Sequence, residues 1–171
     1  MQYYTNLFSP ETYEAFSRSD RSLSGFRIRQ EALAKRIRPG DRFVCYMAKL
    51  SRWIGVMEVI EPYFIDPSPL FLAEDDPFIV RFRVRPIIWL PRDKTVPIHE
   101  PVVWDRLSFT HGIAHDSSAW TGKVRMSLNA VSEVDGQFLE EVLTAQQADG
   151  VEYPVDEDQF RRPGFTARPA G

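Results

Sequence analysis

Short apolar segments separated by turn residues make up most of the hydrophobic pattern of this chain. Residues 2–7 are aromatic and β-branched enough to predict a strand, and Ser9 followed by proline is a typical helix start. Residues 17–25 are rich in Ser, Arg, Asp and Gly and predict a loop. From Arg27 the apolar spacing becomes helical, until a Pro-Gly turn at residues 39–40 ends it.

Two apolar strands are predicted after this turn, at residues 43–47 and 52–60, and they are close enough in sequence to pair. The second strand carries Gly55 between large apolar neighbours. Glycine weakens a strand interior, so it usually marks a bulge, a bend or a close approach to the backbone. A bound ligand is one group that could approach the backbone closely at Gly55. The pair of strands predicts a small barrel with a recess.

The second half of the chain predicts two further strands and one clear helix. Residues 81–85 alternate strictly, which places Phe82 and Val84 in the core and three arginines outside. A last strand is expected at about residues 124–131. The helix that follows it begins at Ser132, which is a suitable cap.

Length and composition predict one domain followed by a tail. With 171 residues and 43% hydrophobic content, the chain can build one good core, which we place at residues 1–148. Residues 149–171 turn acidic and then rich in Pro, Arg and Gly, so a flexible tail is expected there. The aromatic residues of this tail leave open that it docks on the body or on a partner subunit.

The charge is close to balanced but unevenly distributed. Formal net charge is −3, yet residues 1–60 hold ten Lys and Arg against six Asp and Glu. A mildly basic first third suits contact with phosphates, and an ordinary solvated surface explains it as well. Cys45 is the single cysteine, which favours a reducing compartment. Because no apolar run reaches the roughly 20 residues needed to span a bilayer and no signal-peptide pattern is present, we expect a cytoplasmic protein without membrane contact.

Catalytic and metal-binding signals are weak in this sequence. It contains no phosphate-binding glycine loop, no hydrolase serine motif and no dinucleotide fingerprint. His111 and His115 are four residues apart, but Gly112 argues against the helix that would bring them together. Cys45 is expected to pack in the core, because a reactive thiolate needs exposure and a cationic neighbour. We therefore expect no catalytic residue, no metal and no cofactor.

Aromatic and basic residues near loops and glycines are more suggestive. An aromatic ring that stacks on a nucleobase contributes about 1 to 3 kcal/mol, and Phe8, Phe26 and Phe71 lie near loops. The basic residues that flank the glycine-bearing strands are Arg27, Arg29, Lys49 and Arg52. These cations suit contact with phosphates. Core packing of the rings and solvation of the cations explain the same residues without a ligand.

An ordered series of short motifs covers about residues 2–146. It consists of Thr5-Asn6-Leu7-Phe8-Ser9-Pro10, Ser24-Gly25-Phe26 before a basic helix, Arg38-Pro39-Gly40-Asp41, the strand from Trp53 to Val59, the Tyr63 and Pro67 loop, and Arg125-Met126-Ser127-Leu128. This series resembles the EVE domain, a family of the PUA-like superfamily related to the YTH domains that read methylated adenine in RNA. The resemblance implies an α+β fold, a PUA-like curved β-barrel of about five to six strands with flanking helices.

The resemblance also implies a pocket for one flipped or single-stranded modified base. Phe71 lies roughly where YTH domains place a second cage tryptophan, so a phenylalanine-walled pocket suits modified cytosine as well as adenine. The residues expected in the base-binding pocket are Asn6, Leu7, Phe8, Ser24, Gly25, Phe26, Trp53, Gly55 and Phe71. Those expected to contact phosphates on its rim are Arg27, Arg29, Lys49 and Arg52. Gly55 is expected to be the pocket floor, so Gly55→Val should keep the fold and abolish binding.

The expected function is non-catalytic binding of a modified cytosine or adenine in DNA or RNA. One alternative is a hydrolase like those of the related ASCH branch, which act on a modified nucleoside and would here need Lys49 to face the pocket beside Glu58 or an exposed hydroxyl. A further alternative is a protein-interaction module with a vestigial pocket. The resemblance admits an operon-encoded effector protein as a partner, and the sequence leaves the oligomeric state open.

Overall fold

The computed structural model describes residues 1–72 and 75–162. The strands in this part of the chain are β1 (Tyr3–Phe8), β2 (Leu23–Phe26), β3 (Arg42–Met47), β4 (Arg52–Val59), β5 (Phe64–Ile65), β6 (Val80–Trp89), β7 (Val96–Pro97) and β8 (Ala130–Val131). The α-helices are α1 (Pro10–Arg18), α2 (Glu31–Ala34), α3 (Pro101–Trp104), α4 (Glu133–Asp149) and α5 (Glu157–Arg161). Within these residues, no helix has the length and apolar character that crossing a membrane requires.

The strands form one curved mixed sheet. Its order is β2-β6-β4-β3-β1-β8, with β5 paired to β6 and β7 paired to β4. The neighbours β1 and β3 are parallel, whereas every other described pair is antiparallel. Six strands form a half barrel with helices at its flanks. The α+β, PUA-like curved barrel that the sequence predicts is therefore confirmed.

The central strands β3 and β4 are buried on both faces of the sheet, which explains their almost unbroken apolar sequence. Phe43, Cys45 and Met47 point into an inner cluster that fills the half barrel. Val44 and Tyr46 point into an outer cluster, to which α3 and α4 contribute. Burial raises the pKa of the Cys45 thiol, so this cysteine packs in the core as an apolar residue.

Gly55 lies where the backbone of β6 comes close to β4. A Cβ at this position would lie 2.3 Å from the carbonyl oxygen of Ile88 and 2.9 Å from Cε3 of Trp89. Register shifts occur nearby in both ladders of β4, so the sheet bends sharply here. The expectation that Gly55 is the floor of an open recess is wrong, because the neighbouring strand already fills that space. For the same reason Gly55→Val is not expected to preserve the fold.

Three predicted elements differ from the structure. Residues 23–25, expected in a loop, belong to β2, because they pair with β6. The helix expected from Arg27 is reduced to a 3₁₀ turn at Ile28–Gln30 and the single turn of α2. The strand expected at residues 124–131 shrinks to β8, since the residues before it form a 3₁₀ turn and then bond to the edge of β1.

Arg81 is buried, although the alternating pattern predicts that it faces solvent. Only 1% of its surface is exposed. Its guanidinium pairs with Asp66 at 3.2 Å and donates to the carbonyl oxygens of Phe78 and Ser68. The loop between β5 and β6 folds over this part of β6 and covers the side chain, which a strand pattern alone does not reveal. Arg83 and Arg85 are exposed, as predicted.

The segment after α4 returns along the body as far as the described chain extends. Gly150 ends α4 in the left-handed conformation. Arg52 then donates to the carbonyl oxygens of Tyr153 and Pro154, at 2.5 and 3.0 Å, and Phe160 is buried in the inner cluster. The flexible tail was expected to begin at residue 149; its first part, to residue 162, packs on the body, and residues 163–171 lie outside the described chain.

The close approach at Gly55 can be tested by stability measurements on alanine variants. Gly55→Ala forces a methyl group against the backbone of β6, and we expect it to lower the free energy of unfolding by about 1 to 3 kcal/mol in urea denaturation. Gly122→Ala is the matched control, because nothing lies within 4 Å of a Cβ there. It should change stability by less than about 0.5 kcal/mol. Equal stability of the two variants would contradict the packing described here.

Candidate functional site

A side-chain hydrogen bond closes the open side of the half barrel. Strands β1 and β2 lie near opposite ends of the sheet order, and the curvature brings them together. Asn6 Nδ2 of β1 donates to Ser24 Oγ of β2 at 2.8 Å. We call the gap between β1 and β2 the seam. Asn6 and Ser24 are only 2% and 1% exposed, so they form its floor.

The floor of the seam offers the chemistry that recognises a base edge. An amide side chain has two hydrogen-bond donors and an acceptor, and a hydroxyl group can donate or accept a hydrogen bond. The second contact of Asn6 Nδ2 is the sulfur of Met57 at 3.8 Å, a weak acceptor. In addition, β2 pairs with β6 and with no other described strand, so the peptide groups on its other edge face the seam. Polar groups of both kinds therefore converge in an otherwise apolar barrel.

A second bridge crosses the seam nearer to solvent. Gln30, which is 6% exposed, donates from Nε2 to the carbonyl oxygen of Ser127 at 3.0 Å. The hydroxyl of Ser127 accepts from the backbone of Leu7 at 2.8 Å. Leu128 has a φ of 66°, a left-handed conformation that a leucine rarely adopts. Residues 125–128 therefore form a constrained turn that is tied to both sides of the seam.

Aromatic residues of the loop between β5 and β6 pack against the β2 side of the seam. A Cβ at Gly25 would lie 2.8 Å from Cβ of Phe78 and 3.4 Å from the ring of Phe71. The two phenylalanine rings meet edge to face with centroids 6.0 Å apart. The structure therefore brings together two predicted pocket residues, Gly25 and Phe71, and the glycine is needed because the loop lies directly on the strand.

Two buried charges hold this loop in place. Asp76, which is 8% exposed, accepts the backbone N–H groups of Leu70, Phe71 and Phe78 at 2.8, 2.7 and 2.8 Å. Burial by itself would raise the pKa of Asp76, but the amide hydrogen bonds outweigh it and hold the pKa below its ordinary value. Arg81 fixes the same loop from its other end through Ser68 and Asp66. The position of Phe71 is therefore set by the anchored loop.

Exposed cations surround the mouth of the seam. Arg27 and Arg29 are exposed on the β2 side, and Arg125 is exposed on the constrained turn opposite. The guanidinium carbon of Arg27 lies 5.4 Å from the centroid of the Phe78 ring, a cation–π distance. These three arginines suit contact with the phosphates on either side of a bound base.

Three aromatic residues expected to line the pocket are instead buried in the cores. Phe8 packs on Trp89 with ring centroids 5.4 Å apart, and Phe26 packs on Phe43, also at 5.4 Å. Trp53 lies in the outer cluster, on the other face of the sheet. All three are no more than 3% exposed, so the pocket assignment is wrong for their rings. Because side chains alternate along a strand, Phe26 and Phe71 lie on opposite faces of β2 and form no sandwich.

Two cations expected on the rim lie away from the seam. Arg52 binds the carbonyl oxygens of the C-terminal segment, so its assignment as a phosphate ligand is wrong. Lys49 lines a separate cleft of about 830 Å³ at the carboxyl end of β1. The residues that line this cleft are Leu7, Phe8, Ser9, Pro10, Glu11, Glu14, Ala48, Lys49, Phe160, Arg161 and Arg162. Glu14 forms an ion pair there with Arg161 at 3.8 Å.

The hydrolase arrangement of Lys49 beside Glu58 does not form. Glu58 pairs with Arg42 across β3 and β4, five residues along the ladder from the pair formed by Met47 and Arg52. At about 3.4 Å per residue, this separation alone is roughly 17 Å, and Lys49 lies beyond it. Glu58 instead forms an ion pair with Arg85.

The two histidines with metal-like spacing make separate contacts. His111 Nδ1 lies 2.9 Å from the carbonyl oxygen of Asp105. The ring of His115 lies 4.6 Å from that of Trp104, which also stacks on His99 at 4.8 Å. Across residues 1–72 and 75–162, no three His, Cys, Asp or Glu side chains are grouped in a way that could hold a metal ion.

Comparison of the coordinates with solved structures shows the same fold in nucleic-acid-binding proteins. The Mmi1 YTH domain, solved in complex with RNA, matches with a TM-score of 0.59 and 12% identity over 90% of this chain and 84% of that chain. Human THYN1, solved in complex with DNA containing 5-methylcytosine, matches with a TM-score of 0.51 and 14% identity over 86% of this chain and 98% of that chain.

A third structure with this fold is Rpa0253 from Rhodopseudomonas palustris. It has a TM-score of 0.53 and 15% identity over 85% of this chain and 94% of that chain. No protein-family model matches the sequence, and a comparison with curated proteins finds no similar sequence. At these identities the likeness shows the fold alone, a PUA-like curved barrel of the kind found in the Mmi1 YTH domain.

Four residues of the site were not identified from the sequence. Gln30 and Ser127 form the outer bridge, and Asp76 and Arg81 anchor the aromatic loop. Ser127 lies in a segment that contributes to the family resemblance, which was the one available signal. Gln30 acts through a partner 97 positions away in the sequence. Asp76 and Arg81 act on the loop between β5 and β6, whose irregular course no sequence pattern reveals.

The anchoring role of Asp76 can be tested with amide variants of the adjacent aspartates. Asp76→Asn keeps the size but loses the charge that accepts several amides, so faster hydrogen exchange is expected at Leu70, Phe71 and Phe78. The pKa of Asp76 is lowered in the fold, so its contribution to stability is present above the unfolded pKa of about 3.9 and is lost as pH falls through the folded value.

Asp75→Asn is the control for this experiment, because Asp75 is exposed and asparagine tolerates its left-handed φ of 50°. It should leave loop exchange unchanged. Equal protection of the loop in Asp76→Asn and the parent protein at pH 7 would contradict the anchoring role.

Proposed function

We propose that this protein is a non-catalytic reader that binds one modified base of a nucleic acid in the seam, and that it belongs to the EVE group of PUA-like domains. The modified base is a methylated or otherwise modified cytosine or adenine. Binding is itself the activity, and an operon-encoded effector is the kind of partner that would use it. A cytoplasmic location fits this role.

The observation that carries the proposal is the buried Asn6 and Ser24 pair. Two polar side chains placed in an apolar barrel lose their hydration, and a single hydrogen bond between them recovers only part of that loss. A base edge between the two strands can take the place of this bond. It offers donors and acceptors to the Asn6 amide, the Ser24 hydroxyl and the free peptide edge of β2 at once.

The surroundings of the pair supply the other requirements of base recognition. Phe71 is half-buried and packs beside Gly25, the residue after Ser24, and its ring would lie against a planar group that enters past β2. Arg27, Arg29 and Arg125 are exposed at the mouth, where phosphates would pass. The RNA and the methylcytosine-containing DNA in two structures of the same fold support this assignment.

Binding to single-stranded oligonucleotides tests the proposal. Fluorescence anisotropy with probes that carry one 5-methylcytosine, one N6-methyladenine or no modification should show preference for a modified probe. Asn6→Ala removes a group that reads the base edge, so it should weaken binding to that probe by about tenfold or more, because a lost buried hydrogen bond costs about 1 to 3 kcal/mol. Phe71→Ala, which changes a half-buried side chain, should weaken the same binding.

Thr110→Val is the matched control. It removes a buried side-chain hydrogen bond, from Thr110 Oγ1 to the carbonyl oxygen of Trp104 at 2.7 Å, beside α3. It should lower stability while leaving affinity within about twofold. Unchanged affinity in both Asn6→Ala and Phe71→Ala would contradict the site. Turnover of acetylated cytidine that is lost in Lys49→Ala would contradict a non-catalytic function.

A further inference from the structure

Two exposed apolar side chains lie among arginines at the mouth of the seam. Ile28 is 53% exposed and stands between Arg27 and Arg29, which are also exposed. Met126 is 42% exposed and follows the exposed Arg125. An exposed apolar side chain is not stabilised by water. A partner with both apolar and anionic groups would be complementary to an apolar side chain flanked by arginines, and this arrangement occurs twice.

The two side chains belong to segments that face each other across the seam. Gln30, two residues after Ile28, donates to the carbonyl oxygen of Ser127, the residue after Met126. The outer bridge therefore holds the two segments at a fixed separation.

Both segments have constrained backbones. The 3₁₀ turn that begins at Ile28 is held by the backbone N–H of Arg27, which donates to Gln30 Oε1 at 3.3 Å. The carbonyl oxygen of Met126 accepts from Thr5 Oγ1 at 3.1 Å, and the adjacent Leu128 has a left-handed φ. The backbones that carry Ile28 and Met126 are therefore rigid. A rigid segment favours insertion of its side chains into a partner over rearrangement around it.

The chemistry of the Ile28 and Met126 side chains distinguishes single-stranded from double-stranded nucleic acid as the ligand. Proteins that bind single strands use aromatic platforms on which successive bases stack. Across residues 1–72 and 75–162, the large apolar side chains that are exposed include no aromatic residue. Aliphatic side chains of Ile, Leu and Met are instead the wedges that separate stacked base pairs in a duplex.

We propose that Ile28 and Met126 are a pair of wedges that enter a duplex on the two sides of the target base, and that the protein takes its base from double-stranded nucleic acid. This inference rests on the proposed function of the seam. The wedges fill the gap left when the base rotates out of the stack, and Arg27, Arg29 and Arg125 bind the phosphates that flank it. The duplex is the substrate class, with DNA and RNA duplexes as separate arms of the test.

The experiment compares duplex and single-stranded probes of the same sequence. Each probe carries one 5-methylcytosine or one N6-methyladenine beside 2-aminopurine, whose fluorescence rises when its neighbour leaves the stack. The double variant Ile28→Ser and Met126→Ser should weaken binding to a modified duplex by at least tenfold. Its affinity for the matching single strand should stay within twofold, and the fluorescence rise seen with the parent protein should be lost.

Val134→Ser is the matched control, because Val134 is 76% exposed on α4. It should leave duplex binding and the fluorescence signal unchanged. Equal loss of duplex and single-strand affinity in the double variant would overturn the wedge assignment, as would unchanged duplex affinity. A parent protein that binds modified single strands but no DNA or RNA duplex would overturn this inference alone. A parent protein with no preference for any modified probe would overturn the proposed function as well.

Discussion

The buried hydrogen bond between Asn6 and Ser24 joins the two sides of the half barrel in its interior. Strand β2 ends the sheet on one side, whereas β1 lies next to β8 near the other side, and three strands separate β1 from β2 in the sheet order. Two side-chain hydrogen bonds, from Asn6 to Ser24 and from Gln30 to Ser127, join the two sides in place of a full ladder. The proposed site is this gap between β1 and β2, where a planar ligand would replace protein contacts.

The curvature that makes this closure possible comes from the packing of β4 against β6. Gly55 lets the backbone of β6 approach, and the register shifts beside it bend the sheet. The loop between β5 and β6 then folds over β2 and is fixed by buried charges of opposite sign, Asp76 and Arg81. The bend between β4 and β6 therefore brings β2 towards β1, and the anchored loop with Phe71 and Phe78 then covers β2.

The sequence predicts the fold well because its signals are local. Alternation around Phe82, the helix cap at Ser132 and the ordered series of motifs each need only neighbouring residues. Of the residues predicted for the site, Asn6 bonds to Ser24 and Gly25 packs beside Phe71, whereas Phe8, Phe26 and Trp53 are core residues. A sequence pattern cannot tell an aromatic residue that lines a pocket from one buried a few ångströms deeper, and it cannot pair Gln30 with Ser127.

If a base enters at the seam, it must contact the Asn6 side chain, and side-chain NMR detects that contact. The Asn6 amide resonances, assigned by their loss in Asn6→Asp, would be followed during titration with a short oligonucleotide carrying 5-methylcytosine or N6-methyladenine. Binding at the seam should shift them together with the backbone amides of Ser24 and Gly25. Unmoved Asn6 resonances, with the largest shifts at Lys49 and Phe160 of the separate cleft, would contradict it.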